Sequence, residues 1–344
     1  MQTSDGKVIF DFSEMEGSRF SKYGPSGFLP MSRVNLQREL LKDLPEENLL
    51  LGKRLKDFSQ ESGNVTVTLD DNTEISGRML VGADGIKSRV RGCLHEKYSD
   101  ILGPEPSIKF GGITLFGGET IQDKPPMRNG FCDFKWIFGE DRLGVVLPIR
   151  PENGVTPLFW SIGRFTSKPH GIITKSDDEQ REFLKELAKP YSKFGFEEYI
   201  DTAHKLISWD IFELDRDKNT KSWGHQNVTL LGDAAHAITP WVGQGAGISI
   251  EDAFDLAHRV NDYLEDIPKA IKVYEETRIP RAKFIRNAAQ MNFKVFQLFN
   301  YPLLLPVLSV YYKILARPFL MDKFQQPILG YDIPKEPLPD YNKK

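Results

Sequence analysis

The stretch from Val228 to Leu264 constrains this chain more than any other. Val228–Leu231 is a short β-branched and apolar run that follows the polar KSWGHQN, the pattern of a buried strand. Gly232-Asp233 ends it. Pro240 and the glycines at 243, 245 and 247 argue against regular structure up to about Ala246. From Ile248 the residues ISIEDAFDLAHRVNDYL take helical spacing, with Ile248, Ala253, Leu256, Ala257, Val260 and Leu264 on or near one face. Strand, glycine-rich loop and helix therefore follow one another directly. Such a loop lets backbone approach a ligand and aims unpaired N–H groups at it. The positive end of the helix dipole favours negative charge there. Asp233, at the strand end, is placed to accept hydrogen bonds from a ligand hydroxyl, as on a ribose or sugar-alcohol chain. The same spacing also describes a tight strand-to-helix connection with a solvated Asp233.

The bulk properties narrow the class. A chain of 344 residues makes one large or two medium domains with real cores. Lys and Arg number 45 against 48 Asp and Glu, with no basic run, so nothing electrostatic points to nucleic acid. Two cysteines, Cys93 and Cys132, exclude a disulfide framework and make a reducing, cytoplasmic setting the expectation. Neither cysteine has metal-ligand spacing, and the six His form no HxH or HExxH pair, so no metal site is expected. The N-terminus shows no basic segment followed by an apolar one, so no signal peptide is expected. Residues 295–312 carry no charge, but Gln297, Asn300, Pro302, Pro306 and Ser309 interrupt them. A buried or interfacial helix pair is expected there, and peripheral membrane contact stays open.

Along the chain, residues 7–30 alternate in polarity and read as strands around a Gly/Pro turn. Ser32 opens a helix whose apolar positions are Val34, Leu36, Leu40 and Leu41. NVTVTLDDN alternates cleanly, and DDNTE makes it a hairpin. Residues 105–165 read as an antiparallel sheet with several aromatics and one face available to an apolar ligand. SDDEQREFLKELAKP opens a capped amphipathic helical region over 176–201. A long amphipathic helix runs from 268 to about 297 with a break expected at Pro280, and the tail reads as disordered.

Two segments together resemble a known family. GDAAHAITPWVGQGAG at 232–247 and VGADGIKSRVR at 81–91 resemble the GD and DG motifs of class A flavoprotein monooxygenases. These are the single-component aromatic hydroxylases and epoxidases of the para-hydroxybenzoate hydroxylase fold, and the salicylate hydroxylase-like branch is the nearest in pattern. MSRVNLQRELL at 31–41 resembles that family's Arg-x-x-Leu helix, which contacts FAD. Trp223, SIEDAFDLA and YEETRIPRA also fit in order and separation.

The resemblance implies an α/β fold: a Rossmann-like FAD-binding domain with an inserted antiparallel-sheet substrate domain. The expected boundaries are 1–100 with 216–297 for FAD, 101–215 for substrate, and 298–344 for C-terminal apolar helices and tail. Asp233 would hydrogen-bond the ribityl chain of FAD. Pro240 would lie by the reactive face of the isoalloxazine, making it and Gly243 the expected catalytic positions. Gly232, beside Asp233 in the GD motif, would also belong to the FAD-binding positions. Gly243, Gly245, Ala246 and Gly247 would bring backbone N–H groups to the flavin's pyrimidine edge, which is negatively charged when reduced. Arg33 would contact the FAD phosphate or ribityl region, and Asp84 the pyrophosphate and NAD(P)H, with Arg89 and Arg91 nearby. His236 is left unassigned. The implied reaction uses NAD(P)H and O2 to hydroxylate or epoxidise an apolar, aromatic small molecule. A halogenase is the less fitting reading, since its WxWxIP signature is not found. The family's opening strand, GxGxxG turn and helix have no counterpart here. The expected FAD-binding domain is therefore incomplete, and a truncated, non-catalytic fragment that binds a partner is the alternative.

Overall fold

The structure, a computed structural model, describes residues 1–9, 31–121, 127–128, 131–132, 135–139, 141–149, 155, 157–171, 176–215, 222–315 and 318–331. In chain order its strands are β1 (Gln2–Thr3), β2 (Leu55–Glu61), β3 (Asn64–Leu69), β4 (Glu74–Gly77), β5 (Leu80–Gly82), β6 (Ser107–Ile121), β7 (Met127–Arg128), β8 (Phe131–Cys132), β9 (Lys135–Gly139), β10 (Arg142–Pro148), β11 (Pro157–Phe165), β12 (Lys205–Asp215) and β13 (Val228–Leu230). The helices are α1 (Arg33–Leu41), α2 (Arg89–Leu102), α3 (Asp177–Ala188), α4 (Phe196–Thr202), α5 (Asp233–His236), α6 (Gly245–Asp262), α7 (Ile267–Gln297), α8 (Leu305–Leu315) and α9 (Pro318–Leu329). They form two compact units. The first comprises Met1–Glu46, Phe110–Ile211 and Lys294–Gly330; the second comprises Glu47–Lys109, Phe212–Phe293 and Tyr331–Lys344. The strands expected over residues 10–30, and the expected disordered tail from 332, lie outside the described residues.

The first unit is built on a six-stranded sheet in the order β1-β9-β10-β11-β6-β12. The β9, β10, β11 and β6 ladder is antiparallel, as the alternation in the sequence implied, while β1 adds in parallel beside β9. One face is closed by α3, α4 and the 3-10 turn between them. Phe116, Ile137, Val146, Leu158, Trp160 and Ile162 from the strands meet Leu184, Leu187, Tyr191, Phe196 and Ile200 there. The expected capping box is present: Ser176 Oγ accepts from Glu179 N, and the Glu179 carboxylate accepts from Ser176 N. Residues of opposite parity face the other way. Trp136 and Phe138 on β9 pack against Phe296, and Phe138 stacks on Phe299 with centroids 3.9 Å apart. Farther across that face Leu115, Val145, Leu147 and Phe159 are half-buried, and Phe159 meets Trp209 of β12.

The second unit holds the hairpin β2-β3-β4, the parallel pair β13-β5, and α2, α6 and α7. The acidic turn after β3 forms as expected, with Asn72 at positive φ. Gly82 is required where β5, β13 and α2 meet. A Cβ there would sit 2.6 Å from Leu230 Cδ2 and 2.8 Å from Val90 Cβ.

Several sequence expectations are corrected. Helix α6 begins at Gly245, not after Ala246, and α5 and a 3-10 turn at Pro240–Val242 occupy the stretch expected to be irregular. Glycine is tolerated in a first helical turn, where few intrahelical bonds exist to be weakened. α7 runs unbroken through Pro280. The proline removes one backbone donor, and Arg278 and Arg281 beside it are pinned to buried carboxylates. α1 forms after Ser32, yet Ser32 makes no side-chain cap and no residue of α1 is buried. Its apolar residues spread around the helix instead of lining one stripe. Among the described residues, no helix is long and apolar enough to cross a membrane. α8 and the turn before it leave Leu303, Val307, Val310 and Ile314 exposed, within and beside the segment where peripheral contact was left open.

Candidate flavin-binding turn

Strands β5 and β13 lie in parallel register, Val228 opposite Leu80 and Leu230 opposite Gly82. Their carboxyl ends therefore emerge side by side, and Leu231 N donates to Gly82 O at 3.0 Å. The DG segment leaves β5 and the GD segment leaves β13 at the same edge. In open α/β sheets ligands bind at the carboxyl ends of parallel strands.

The DG segment serves first as a helix start. Asp84 accepts from Arg89 N at 2.7 Å, from Val90 N at 3.3 Å and from Ser88 Oγ. Ser88 Oγ accepts from Arg91 N at 3.0 Å and caps α2. An acid at a helix N-terminus meets both unsatisfied donors and the dipole. Asp84 is nevertheless exposed. Arg91, 1% exposed, then joins the two motifs. It donates to Ile86 O at 2.7 Å, to Ala234 O at 2.9 Å and to Glu105 at 3.0 Å. Arg89 instead reaches Lys56 O and Glu96.

The GD segment is a tight turn. Gly232 has φ +57, and a Cβ there would also meet Ser249 Oγ at 2.8 Å, so only glycine fits. Asp233 opens the one-turn α5 and is exposed, whereas Ala234, Ala235 and His236 are buried. Beyond it, Pro240, Gly243, Ala246 and Gly247 are exposed. Gly243 takes φ +64 just before α6. No side chain caps α6, and a Cβ at Gly243 or Gly245 would meet no atom within 4 Å. Thr239 is buried, and its hydroxyl has no partner among the described residues. An uncapped helix N-terminus with open space at two glycines, following an exposed carboxylate, fits a group that carries hydroxyls and an anionic edge. This agrees with the donors and acceptors of a flavin.

The expected residues Asp84, Gly232, Asp233, Pro240, Gly243, Gly245, Ala246 and Gly247 thus all lie in the second unit, and their segments are joined by Arg91. Arg33 is exposed at the start of α1, in the first unit. A cavity of about 440 Å³ in the second unit, lined by Ser222, His225, Lys272, Glu275 and Glu276 among others, includes none of these residues.

Sequence reasoning left His236 unassigned and passed over Asp252. The two meet at 2.5 Å, His236 Nε2 to Asp252 Oδ2. Asp252 is wholly buried, and burial alone would raise its pKa. The bond from His236 and the charge of Arg278 outweigh burial and hold the carboxyl below its usual range. The available signal was two adjacent acids inside an otherwise apolar helix start, and two arginines three apart on the next helix.

The FAD binding domain family matches residues 49–289, well over half of the chain. Chloroplastic zeaxanthin epoxidase of Nicotiana plumbaginifolia is 29% identical over 271 residues, which cover 76% of this chain. The chain spans 38% of that relative's length. Salicylate hydroxylase of Pseudomonas putida is 26% identical over 284 residues, 77% of this chain and 63% of that protein. Among solved structures, Klebsiella pneumoniae HpxO complexed with FAD and uric acid shares the fold with a TM-score of 0.71. It is 22% identical over 96% of this chain and 78% of that one. The chain belongs to the FAD binding domain family, and by its motifs and relatives to the class A flavoprotein monooxygenases of the para-hydroxybenzoate hydroxylase fold.

Proposed function

We propose that this chain contributes the flavin side and the substrate side of an NAD(P)H-dependent monooxygenase acting on an apolar, aromatic small molecule. The observation that carries the reading is the uncapped N-terminus of α6, open at Gly243 and Gly245, following the exposed Asp233. Bound FAD would supply the redox chemistry by which NAD(P)H and O2 place one oxygen in the substrate. Asp233 would accept hydrogen bonds from the ribityl hydroxyls. The N–H groups of Gly245, Ala246 and Gly247 would face the pyrimidine edge, where the helix dipole favours negative charge. Pro240 and Gly243 would line the reacting position. Asp84 would serve the phosphates by holding the α2 N-terminus in place.

The second unit is thus proposed as the FAD side and the sheet of the first unit as the substrate side. Supporting the latter, one sheet face is closed by α3 and α4, while Val145, Leu147 and Phe159 on the other stay half-buried and Phe159 meets Trp209. Such a face suits an apolar ring, which gains from aromatic packing and exclusion of water. Uric acid in HpxO and the name salicylate hydroxylase show that relatives take ring substrates. The reading as a non-catalytic fragment is not favoured, since the turn retains glycine at 245, where neither a positive φ nor a neighbouring atom requires it.

The test supplies the chain with FAD and follows NADH and NADPH oxidation and O2 uptake across a panel of small aromatic acids, phenols and apolar polyenes. The expected result is oxidation stimulated by one class, with an oxygenated product. Oxidation indifferent to every compound would contradict the proposed activity.

A further inference from the structure

We propose that Asp252 is the positioning residue of the flavin-side turn, fixing Asp233 relative to the N-terminus of α6. The inference rests on the proposed flavin role of that turn. Asp252 Oδ2 accepts from Gly232 N at 3.0 Å and from His236 Nε2, while Oδ1 accepts from Arg278 Nε at 2.7 Å. Gly232 and His236 bracket the one-turn α5, and Asp233 lies between them. One carboxylate therefore holds both ends of the segment that carries Asp233. Asp252 itself sits two turns into α6, the helix whose first residues are proposed to face the flavin. The two flavin-facing elements are tied together through this one side chain.

The surroundings are built for that task. Arg278, fully buried, also donates to Glu251 at 2.7 Å, and Arg281 binds Glu251 through Nη2 at 3.0 Å and Nε at 3.1 Å. The Tyr331 ring lies 5.0 Å from the Arg278 guanidinium carbon and 4.5 Å from that of Arg281. Trp223 packs on the His236 ring at 5.2 Å, and Tyr274 donates to Leu230 O at 3.1 Å. Trp223, SIEDAFDLA through Asp252, and YEETRIPRA through Tyr274 and Arg278 thus converge on the turn. Burying two carboxylates and two guanidiniums is a poor way to gain stability, because apolar residues of the same volume serve as well or better. Its benefit is a single geometry, since each member must keep its partners.

The experiment compares Asp252→Asn with Glu275→Gln. Glu275 is another buried acid, on α7, whose carboxylate accepts from Ser222 and Thr229. Hydrogen exchange of residues 231–239 without FAD, FAD affinity and Tm are measured for both and for the parent chain. At metal sites, loss of a partner that orients a binding group typically weakens binding about 10–100-fold, and the same scale is taken for this turn. Asp252→Asn is expected to speed exchange across 231–239 and weaken FAD affinity by about that factor. Glu275→Gln is expected to lower Tm while leaving both other readouts near the parent values. If both variants move all three readouts alike, or if exchange in 231–239 is unchanged in Asp252→Asn, the positioning role is overturned. A parent chain that takes no FAD, yet shows the selective exchange change, keeps Asp252 as the anchor of the turn and sinks the flavin reading alone. Should Asp252→Asn not fold, Arg278→Lys carries the test. It keeps the charge but loses the fork joining Asp252 to Glu251, and the same selective exchange change is expected.

Discussion

At the scale of single residues, the glycines of the turn separate structural need from ligand room. Gly232→Ala places a side chain at positive φ and against Ser249, so stability is expected to fall by about 1–3 kcal/mol. Gly245→Ala meets neither problem, and at the first position of α6 alanine gains at most part of the about 1 kcal/mol by which it outranks glycine in a helix interior. Thermal melting should therefore show Gly245→Ala at or above the parent Tm, with FAD affinity reduced because its methyl fills the space proposed for the flavin. A Gly245→Ala chain that binds FAD normally would put the flavin elsewhere. Asp255 offers a pH test. Burial raises its pKa above 3.8, only partly offset by Arg259 and Arg278, and one carboxylate oxygen lacks a partner among the described residues. The folded state then holds this proton more tightly than the unfolded chain. Asp255 thus removes stability as pH rises from about 4 through its raised pKa. Asp255→Asn should be more stable than the parent at pH 7, with the gap closing as pH falls toward 4; a constant gap would refute the assignment.

At the scale of elements, Arg91 is the join between the start of α2 and the turn after β13. Arg91→Met leaves the Ile86 and Ala234 carbonyls without this donor. Charged hydrogen bonds of this kind are worth about 1.5–3 kcal/mol each, so a loss of about 2 kcal/mol or more is expected in chemical denaturation. A loss under about 0.5 kcal/mol, typical of a surface substitution, would show that the join is not needed. The elements also show what a sequence reveals. β3, β4 and the capping box at Ser176 were legible because their signals are local: alternation, a turn of Asp and Asn, and a Ser-x-x-Glu spacing. The strand, turn and helix at 228–262 were legible for the same reason, although the start of α6 was placed too late because glycine was read only as a breaker. Pro280 misled in the same way. What accompanies the unbroken α7 there is not local: Glu251 and Asp252 hold Arg278 and Arg281 on either side of the proline.

At the scale of the whole molecule, the two motifs could be read as a pair because their order fits a known family, yet their meeting could not. It depends on the parallel register of β5 with β13, some 150 residues apart in the chain, and on Arg91 reaching Ala234. The Asp252 network was hidden for a further reason: acids and arginines on amphipathic helices are normally solvated, so the adjacent acids and the arginines three apart gave only a weak signal. The antiparallel sheet itself was legible from its alternation, but the closing of one face by α3 and α4 needed the fold. The central claim is that the turn after β13 and the N-terminus of α6 hold a flavin. The most direct measurement is the visible spectrum of the purified chain after FAD is added and the excess removed, alongside Asp233→Ala. The account predicts a retained flavin chromophore, a Tm that rises with FAD by linkage, about 2.7 kcal/mol at a hundredfold excess over Kd, and loss of both in a folded Asp233→Ala chain. A colourless parent chain, or a variant that keeps the flavin as firmly as the parent, would contradict it.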